Sequence, residues 1–272
     1  MGRHESHDNP DRLDATQQPT LTIPSLSADR GFDEVKIVRL ASYPIRSTNG
    51  ENLICELLSR IENGVATALF FANTNLIVKC RFILSNAALP SVIIVNDGIG
   101  LDIAAKLFKK TTFAENLNGT DFVPRLFQSA SKPLKIFMIG GSERVVDKAA
   151  IYVQESLKQE VVGTCNGYAE FRDNETLVHR LNMAAPDVVL VALGNPMQEK
   201  WILDHGLKTR GTVFIGVGAL FDFWSGDKPR APTLIRRLRL EWLYRLYLEP
   251  RRLMRRYTVD IGVFLWCCFW YK

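Results

Sequence analysis

From Glu34 to about Phe223 the sequence alternates short apolar runs, rich in β-branched residues, with longer segments of helical periodicity. The apolar runs are continuous, which is typical of parallel strands covered by helices on both faces. We therefore predict an α/β fold with a mostly parallel sheet. The predicted strands are 36–40, 66–71, 91–95, 134–139, 161–164, 187–193 and 212–216. The helical segments between them include 52–62, 99–108, 144–158, 175–184 and 197–205.

The two ends of the chain differ from this central region. Residues 1–32 are polar, have no apolar core typical of a signal peptide, and are predicted to be disordered. Residues 227–272 show no strand pattern. We therefore divide the chain into a disordered segment (1–32), an α/β core (33–226) and a C-terminal appendage (227–272).

The basic character of the chain lies in the appendage. Residues 228–272 hold eleven Lys/Arg and three Asp/Glu, a net charge of +8, whereas the whole chain carries +5. The same segment holds nine of the 27 aromatic residues. A basic, aromatic segment on a mildly acidic body indicates an anionic partner such as lipid headgroups, diphosphates or nucleic acid.

Four loops that contain glycine follow predicted strands. Ligands of parallel sheets bind outside the carboxyl ends of the strands, so these loops would line one polar cleft. They are residues 96–100, 140–143, 194–200 and 217–223. Within and beside them, the candidate substrate-binding residues are Asn73, Gly140, Gly141, Ser142, Gly194, Asn195, Gly218 and Asp222.

Each polar candidate has a structural alternative. Gly140, Gly141 and Ser142 could bring backbone N–H groups close to a phosphate, or could form a tight turn with Ser142 as the N-cap of a helix. Asp97 could be a general base facing the cleft, or could cap the helix that begins at Ile99.

Three amide side chains also have both a functional and a structural interpretation. Asn73 and Asn75 could hydrogen-bond a sugar or cap the next helix. Gln198 lies in the first turn of a helix after Pro196, which suits a helix start. Its amide could donate to a diphosphate or to a sugar.

Several kinds of chemistry find no support in the sequence. There is no Asp-x-Asp pair, the four histidines do not pair at metal-ligand spacing, and no G-x-S-x-G element is present. The five cysteines show no C-x-x-C spacing and their number is odd, which favours a reducing cytosol over a disulfide framework. We expect neither a metal site nor a cofactor.

The end of the chain predicts an interfacial helix. Beyond Pro250, an apolar side contains Leu253, Met254, Tyr257, Ile261 and Phe264. The opposite side contains Arg251, Arg252, Arg255 and Arg256. Residues 261–271 form an apolar run of eleven residues with two Trp, too short to span a bilayer. The alternatives are a helix packed on the body with its arginines in solvent, or a nucleic-acid-binding segment; we expect no nucleic-acid partner.

Seven motifs in order resemble the WecG/TagA/CpsF family of bacterial glycosyltransferases, also called glycosyltransferase family 26. They are NDGIGLD, ENLNGTDF, IFMIGGS, GYAEF, LGNPMQEKW, GVGALFDFWSGDKPRAP and LEWLYRLYLEPRRLMRRY. The resemblance covers about residues 34–257. It implies a Rossmann-like core with a membrane-binding helical appendage. It also implies inverting, metal-independent transfer of a sugar from a UDP-sugar to a polyprenyl-diphosphate-linked sugar during cell-envelope or exopolysaccharide synthesis.

The resemblance also implies roles for individual residues. Asp97 matches the catalytic base, Asn75 the asparagine of a T-x-N element and Gln198 the glutamine of a P-x-Q-E-x-W element. Asn73 stands where the family often has threonine. The arginines expected to hold the lipid diphosphate or to face the membrane are Arg230, Arg237, Arg245, Arg251, Arg252, Arg255 and Arg256.

The sequence also supports expectations about the donor sugar, the location of the protein and the alternative functions. The NDGIGLD and NLNGTDF variants look most like the xanthan-type branch, which favours UDP-glucose; the alternative is UDP-N-acetylmannosamine or its uronic acid. The resemblance places the enzyme on the inner face of the cell membrane, and is compatible with a homo-oligomer. The rivals are a dinucleotide-binding oxidoreductase, whose acidic ribose-binding residue is missing here, and a non-catalytic membrane adaptor.

Overall fold

An eight-stranded sheet forms the centre of the computed structural model, which describes residues 36–81, 83–84, 90–209, 211–232, 235 and 240–271. The predicted disordered segment 1–32 lies outside these residues. The strand order is β1-β2-β4-β3-β8-β7-β5-β6. The strands are β1 (Lys36–Leu40), β2 (Tyr43–Ser47), β3 (Thr67–Ala72), β4 (Val92–Asn96), β5 (Lys135–Gly140), β6 (Glu160–Cys165), β7 (Val188–Ala192) and β8 (Val213–Gly216).

Every neighbouring pair of strands is parallel except β1 and β2, which form an antiparallel hairpin. The predicted mostly parallel α/β fold is therefore confirmed. Strand β2 was not predicted, because the turn before it uses Ala41 (φ 50°) and Ser42 (φ 71°) in place of the usual Gly or Asn. Pro44 within the strand further weakens its sequence signal.

Helices cover both faces of the sheet. They are α1 (Gly50–Glu62), α2 (Thr74–Lys79), α3 (Ile99–Lys109), α4 (Gly119–Ser129), α5 (Glu143–Glu155), α6 (Asn174–Ala184), α7 (Met197–Asp204), α8 (Leu220–Trp224), α9 (Glu241–Leu248), α10 (Pro250–Tyr257) and α11 (Val259–Trp270). Two 3₁₀ helices span Glu170–Arg172 and Gly206–Lys208.

Strand β3 shows how the sheet divides the core. Its side chains are all buried, and alternate residues belong to two different hydrophobic clusters. The cluster of Phe70 includes residues of α2, α3, α6, α7 and α11, whereas the cluster of Leu69 and Phe71 includes residues of α1, α4, α5 and α8. Because successive side chains of a strand point to opposite faces, these clusters are the two helical layers.

The C-terminal residues form two helices where the sequence suggested one. Helix α10 ends at Tyr257 and α11 begins at Val259, with Thr258 between them at φ −117° and ψ −77°. Helix α11 packs against α2 and α3, and its Phe264, Cys267 and Cys268 are buried in the core. The alternative of a terminal helix packed on the body therefore applies to α11.

The other side of α11 is apolar and exposed. We call this surface, made of Val259, Val263, Trp266, Phe269 and Trp270, the outer face of α11. Within the described ranges, no helix combines the length and the apolar character required to cross a membrane.

Candidate active site

The candidate residues lie along one edge of the sheet, at the carboxyl ends of five adjacent strands. In the spatial order β4, β3, β8, β7 and β5, these ends lead to Asp97, Asn73, Gly218, Gly194 and Gly140. Parallel pairing brings these ends together, although the residues are spread over more than a hundred positions of the chain. The loops that the sequence predicted to line a polar cleft thus lie at this edge.

Asp97 is half-buried directly after β4. Its backbone N–H donates to the carbonyl of Ala72 at the end of β3, at 2.7 Å. Helix α3 begins at Ile99 with Gly98 as its N-cap and has no side-chain cap. The capping alternative for Asp97 is therefore wrong, and its carboxylate is available for another task.

Burial raises the pKa of Asp97 to about 6, against the opposing effects of an Asn73 hydrogen bond and the positive charges of Arg245 and Arg256. The negative charge of Glu241 adds to the upward shift. A carboxylate with a pKa near the working pH can both accept and release a proton, as general base catalysis requires.

Asn73 links Asp97 to two other elements. Its Nδ2 donates to Oδ2 of Asp97 at 3.4 Å. Its Oδ1 accepts the backbone N–H of Leu76, which caps α2, and also Nη2 of Arg256 at 3.4 Å. Asn73 therefore serves as a helix cap and as a partner of the candidate base.

The C-terminal helices supply charged groups to this cleft. Arg245 of α9 pairs with Glu241 and lies 4.9 Å above the centroid of the Phe223 ring. The Nε atoms of Arg245 and Arg256 are buried, and neither has a hydrogen-bond partner within the described part of the chain. Each of these arginines therefore has an unused N–H donor near Asp97.

A second cluster lies at the start of α7. Asn75 donates from Nδ2 to Oδ1 of Asn195 at 3.0 Å. Gln198 is buried, and its Oε1 accepts the backbone N–H groups of Gly194 (3.2 Å) and Gly218 (3.1 Å). In this structure the carbonyl oxygen of Gln198 joins the loops after β7 and β8, so this oxygen already has two hydrogen-bond donors.

Glu199 organises this second cluster and was missed by the sequence reasoning. It is fully buried and accepts hydrogen bonds from Asn195, Gln198 and Cys80. Burial raises its pKa, while those hydrogen bonds oppose the increase. Its place in the first turn of α7, beside Gln198 and close in sequence to Asn195, was the available signal.

The glycines of the edge fall into two groups. A side chain at Gly140 (φ 123°) would place its Cβ 2.4 Å from the carbonyl oxygen of Ala192, so this glycine is required by packing. At Gly194 (φ 77°) and Gly218 (φ 55°) a Cβ would have no heavy atom within 4 Å. Those two glycines border open space.

The turn after β5 has a structural role. Gly141 (φ 71°) leads to Ser142, whose Oγ accepts the backbone N–H of Val145 at 3.4 Å and caps α5. The tight-turn alternative is therefore confirmed. The phosphate interpretation remains a prediction.

The other predicted residues pair with different groups, are exposed, or fall outside the described residues. Asp222 pairs with Lys228 at 3.1 Å, and Arg230 pairs with Asp121. Arg251 and Arg255 are exposed on α10. Arg237 and the side chain of Arg252 are outside the described residues.

Comparison with known proteins decides the family. Residues 38–272 match the profile of the Glycosyl transferase WecG/TagA/CpsF family. The chain belongs to this family. The matched region includes all the strands after β1 and every candidate site residue.

Two curated members of the WecG/TagA/CpsF family, from Staphylococcus aureus strains NCTC 8325 / PS 47 and MRSA252, are 31% and 30% identical to this chain. Each alignment spans 172 residues, which is 63% of this chain and 67% of the relative. Both relatives are named N-acetylglucosaminyldiphosphoundecaprenol N-acetyl-beta-D-mannosaminyltransferase.

Family membership has two consequences for the earlier expectations. A glycosyltransferase is supported over the oxidoreductase and the non-catalytic adaptor. The names of the relatives favour N-acetylmannosamine, the alternative donor sugar, over the glucose that the motif variants suggested.

Proposed function

We propose that this chain transfers N-acetylmannosamine from UDP-N-acetylmannosamine to an N-acetylglucosaminyl-diphospho-polyprenol, with inversion at the anomeric carbon and without a metal ion. The sugar and the acceptor follow the names of the relatives at 31% and 30% identity. The observation that carries the chemistry is Asp97, a half-buried carboxylate at a strand end with its pKa raised to about 6.

The reaction assigns one proton transfer to Asp97. The acceptor hydroxyl gives its proton to the carboxylate while its oxygen attacks the anomeric carbon of the donor sugar. The bond between that carbon and the UDP oxygen breaks, and UDP leaves with the bonding electrons. Asn73 holds the carboxylate by its hydrogen bond to Oδ2, 3.4 Å away.

Arginine side chains take the place of a metal in this scheme. The sequence has no Asp-x-Asp pair, so negative charge on the leaving diphosphate needs other partners. Arg245 and Arg256 are close enough to Asp97 to affect its pKa, and each has an unpartnered buried Nε within the described chain. Arginine forms strong charge-assisted bonds with phosphate oxygens.

Peripheral binding to the inner face of the cell membrane completes the proposal. A polyprenyl-linked acceptor has its diphosphate at the membrane surface. The outer face of α11 presents two exposed Trp and a Phe, and α10 presents Arg251 and Arg255. Amphipathic aromatic rings and basic side chains are the groups that bind an anionic lipid interface.

A donor screen tests the proposal. Purified protein would be incubated in EDTA with a short-chain N-acetylglucosaminyl-diphospho-polyprenol and, separately, UDP-N-acetylmannosamine, UDP-N-acetylmannosaminuronic acid or UDP-glucose. We expect the lipid to gain the mass of one N-acetylhexosamine with the first donor. A product only with UDP-glucose, or only after Mg²⁺ or Mn²⁺ is added, would contradict it.

A further inference from the structure

Glu199 is a buried carboxylate whose hydrogen-bond donors in the described part of the chain are neutral groups. Its exposed fraction is 0%, and no Lys or Arg of the described ranges forms an ion pair with it. Its hydrogen-bond donors are Asn195 and Gln198, both to Oε1, and the Cys80 thiol to Oε2 at 3.4 Å. Burying such a group is costly unless hydrogen bonds compensate for the loss of water, and these three bonds do so here.

The carboxylate determines which way the Asn195 amide points. An amide can be turned over with little change of shape, since its oxygen and nitrogen are similar in size. Oε1 of Glu199 accepts hydrogen bonds, and it still accepts if a proton sits on Oε2 facing Cys80. Nδ2 of Asn195 must therefore face Glu199, which leaves Oδ1 of Asn195 for Asn75.

The orientation of the Asn195 amide in turn fixes the orientation of the Asn75 amide. Because Oδ1 of Asn195 is an acceptor, Asn75 must present Nδ2 to it, and the two atoms are 3.0 Å apart. Oδ1 of Asn75 then has no hydrogen-bond partner within the part of the chain that is described. Asn75 is half-buried, two residues after the Asn73 that bonds Asp97.

The same carboxylate fixes a second amide. Nε2 of Gln198 donates to Oε1 of Glu199 at 2.8 Å, so Oε1 of Gln198 points away from the carboxylate. That oxygen accepts the backbone N–H groups of Gly194 and Gly218. Glu199 therefore sets the orientation of two neighbouring amides in the cleft wall.

We propose that Glu199 is a positioning residue, which acts through Asn195 to present Oδ1 of Asn75 as the acceptor for a hydroxyl or amide N–H of the bound sugar. The identity of the ligand as a sugar rests on the proposed function. With an apolar residue at position 199, the side-chain amides of Asn195 and Asn75 could both turn over. In some molecules Asn75 would then present its N–H group, and not Oδ1, to the donor group of the sugar.

A double-mutant cycle tests this chain of contacts. Glu199→Met removes the acceptor at similar size, and Glu199→Gln keeps an acceptor oxygen for the amides. We expect Glu199→Met to lower kcat/KM by about 10- to 100-fold in the natural background, but by less than about threefold when Asn75 is already Ala. Glu199→Gln should recover most of that loss.

Two results of this double-mutant cycle would contradict the proposal. Equal losses from Glu199→Met in both backgrounds, or equal losses from the Met and Gln variants, would mean that Glu199 does not act through Asn75, and would overturn the proposal. If Glu199→Met does not fold, Asn195→Ala takes its place in the cycle, because it breaks the same chain and leaves Glu199 bonded to Gln198.

A second readout does not depend on turnover. In NMR spectra of the natural protein, the side-chain NH₂ protons of Asn195 and Asn75 should exchange with solvent slowly, and Glu199→Met but not Glu199→Gln should speed up both. Unchanged exchange in Glu199→Met would overturn the proposal. Failure of the natural protein to form any lipid product would instead contradict the proposed function, while the exchange experiment would still decide the role of Glu199.

Discussion

Arg256, in a helix near the C-terminus, donates from Nη2 to Oδ1 of Asn73, 3.4 Å away and 183 positions earlier in the chain. Asn73 in turn donates from Nδ2 to Oδ2 of Asp97, also at 3.4 Å. Two hydrogen bonds thus connect the basic end of the chain to the carboxylate that we propose as the base. A change in the C-terminal helices should therefore be detectable in the protonation of Asp97.

The pH dependence of catalysis tests that connection. Only ionised Asp97 can accept a proton, so kcat/KM should rise with pH around an apparent pKa of about 6 and then level off. Arg256→Gln removes a positive charge that favours the carboxylate, and should move this rise to higher pH. Glu241→Gln removes a negative charge that disfavours it, and should move the rise to lower pH.

The two variants serve as controls for each other, since both remove one charge from the C-terminal helices. Shifts in the same direction, or a profile without a rise near pH 6, would contradict the assignment of Asp97 as the titrating base.

Asp97→Asn should make the protein more stable at neutral pH. Burial raises the pKa of the folded state to about 6 from an ordinary value of 3.8, so the ionised carboxylate destabilises the fold above pH 6. Replacing it should increase the free energy of unfolding at pH 8 by on the order of 1–3 kcal/mol. The gain should shrink as the pH falls from 6 to 4, because the folded protein then holds the proton. Denaturant titration at pH 8 and pH 4.5 would measure it; equal effects at both values would count against the raised pKa.

Substitutions at exposed and at buried positions of α11 should separate membrane binding from folding. Trp266 and Trp270 are 62% and 60% exposed, so replacing both with Ser should lower binding to anionic liposomes and leave the melting temperature within a few degrees. Phe264 is 1% exposed, and Phe264→Ala should cost about 3–5 kcal/mol of stability. Sedimentation with liposomes and thermal melting give the two readouts. Undiminished liposome binding by the Trp266→Ser/Trp270→Ser variant would contradict the proposed role of the outer face.

Glycines at the cleft edge should differ in what they tolerate. Gly140→Ala would force a Cβ to within 2.4 Å of the Ala192 carbonyl oxygen, and should prevent stable folding. Gly218→Ala meets open space and costs only the left-handed backbone conformation, about 1–2 kcal/mol. Its folded product should bind UDP more weakly, because a methyl group would occupy the cleft wall. Calorimetry with UDP would check this, and unchanged affinity would mean that Gly218 faces away from the donor.

The fold was predictable where burial dictated the sequence pattern. Seven of the eight strands were predicted, and six of these, β3 to β8, are parallel to one another, so their carboxyl ends meet at one edge. That rule alone places Asp97, Asn73 and Asn195 at the same edge of the sheet. The hairpin strand β2 escaped prediction because its turn lacks glycine, and the break at Thr258 has no Pro or Gly to signal it.

The charged partners of the site were harder to predict. Arg251, Arg255 and Arg256 look alike in sequence, yet only Arg256 of these three bonds Asn73 in the described structure. The distinction depends on how α10 lies against the sheet edge, which no local pattern encodes. Glu199 was overlooked for a related reason, since a glutamate in the first turn of a helix is ordinarily a surface residue.

The most direct test of the central claim is the turnover of Asp97→Asn, measured with a saturating UDP-sugar and lipid acceptor beside its affinity for UDP. We expect kcat to fall by about 10²–10⁴-fold, the usual contribution of a general base, while the affinity for UDP stays within about twofold. Turnover close to that of the natural protein, in a folded variant that binds UDP normally, would contradict the assignment of Asp97 as the catalytic base.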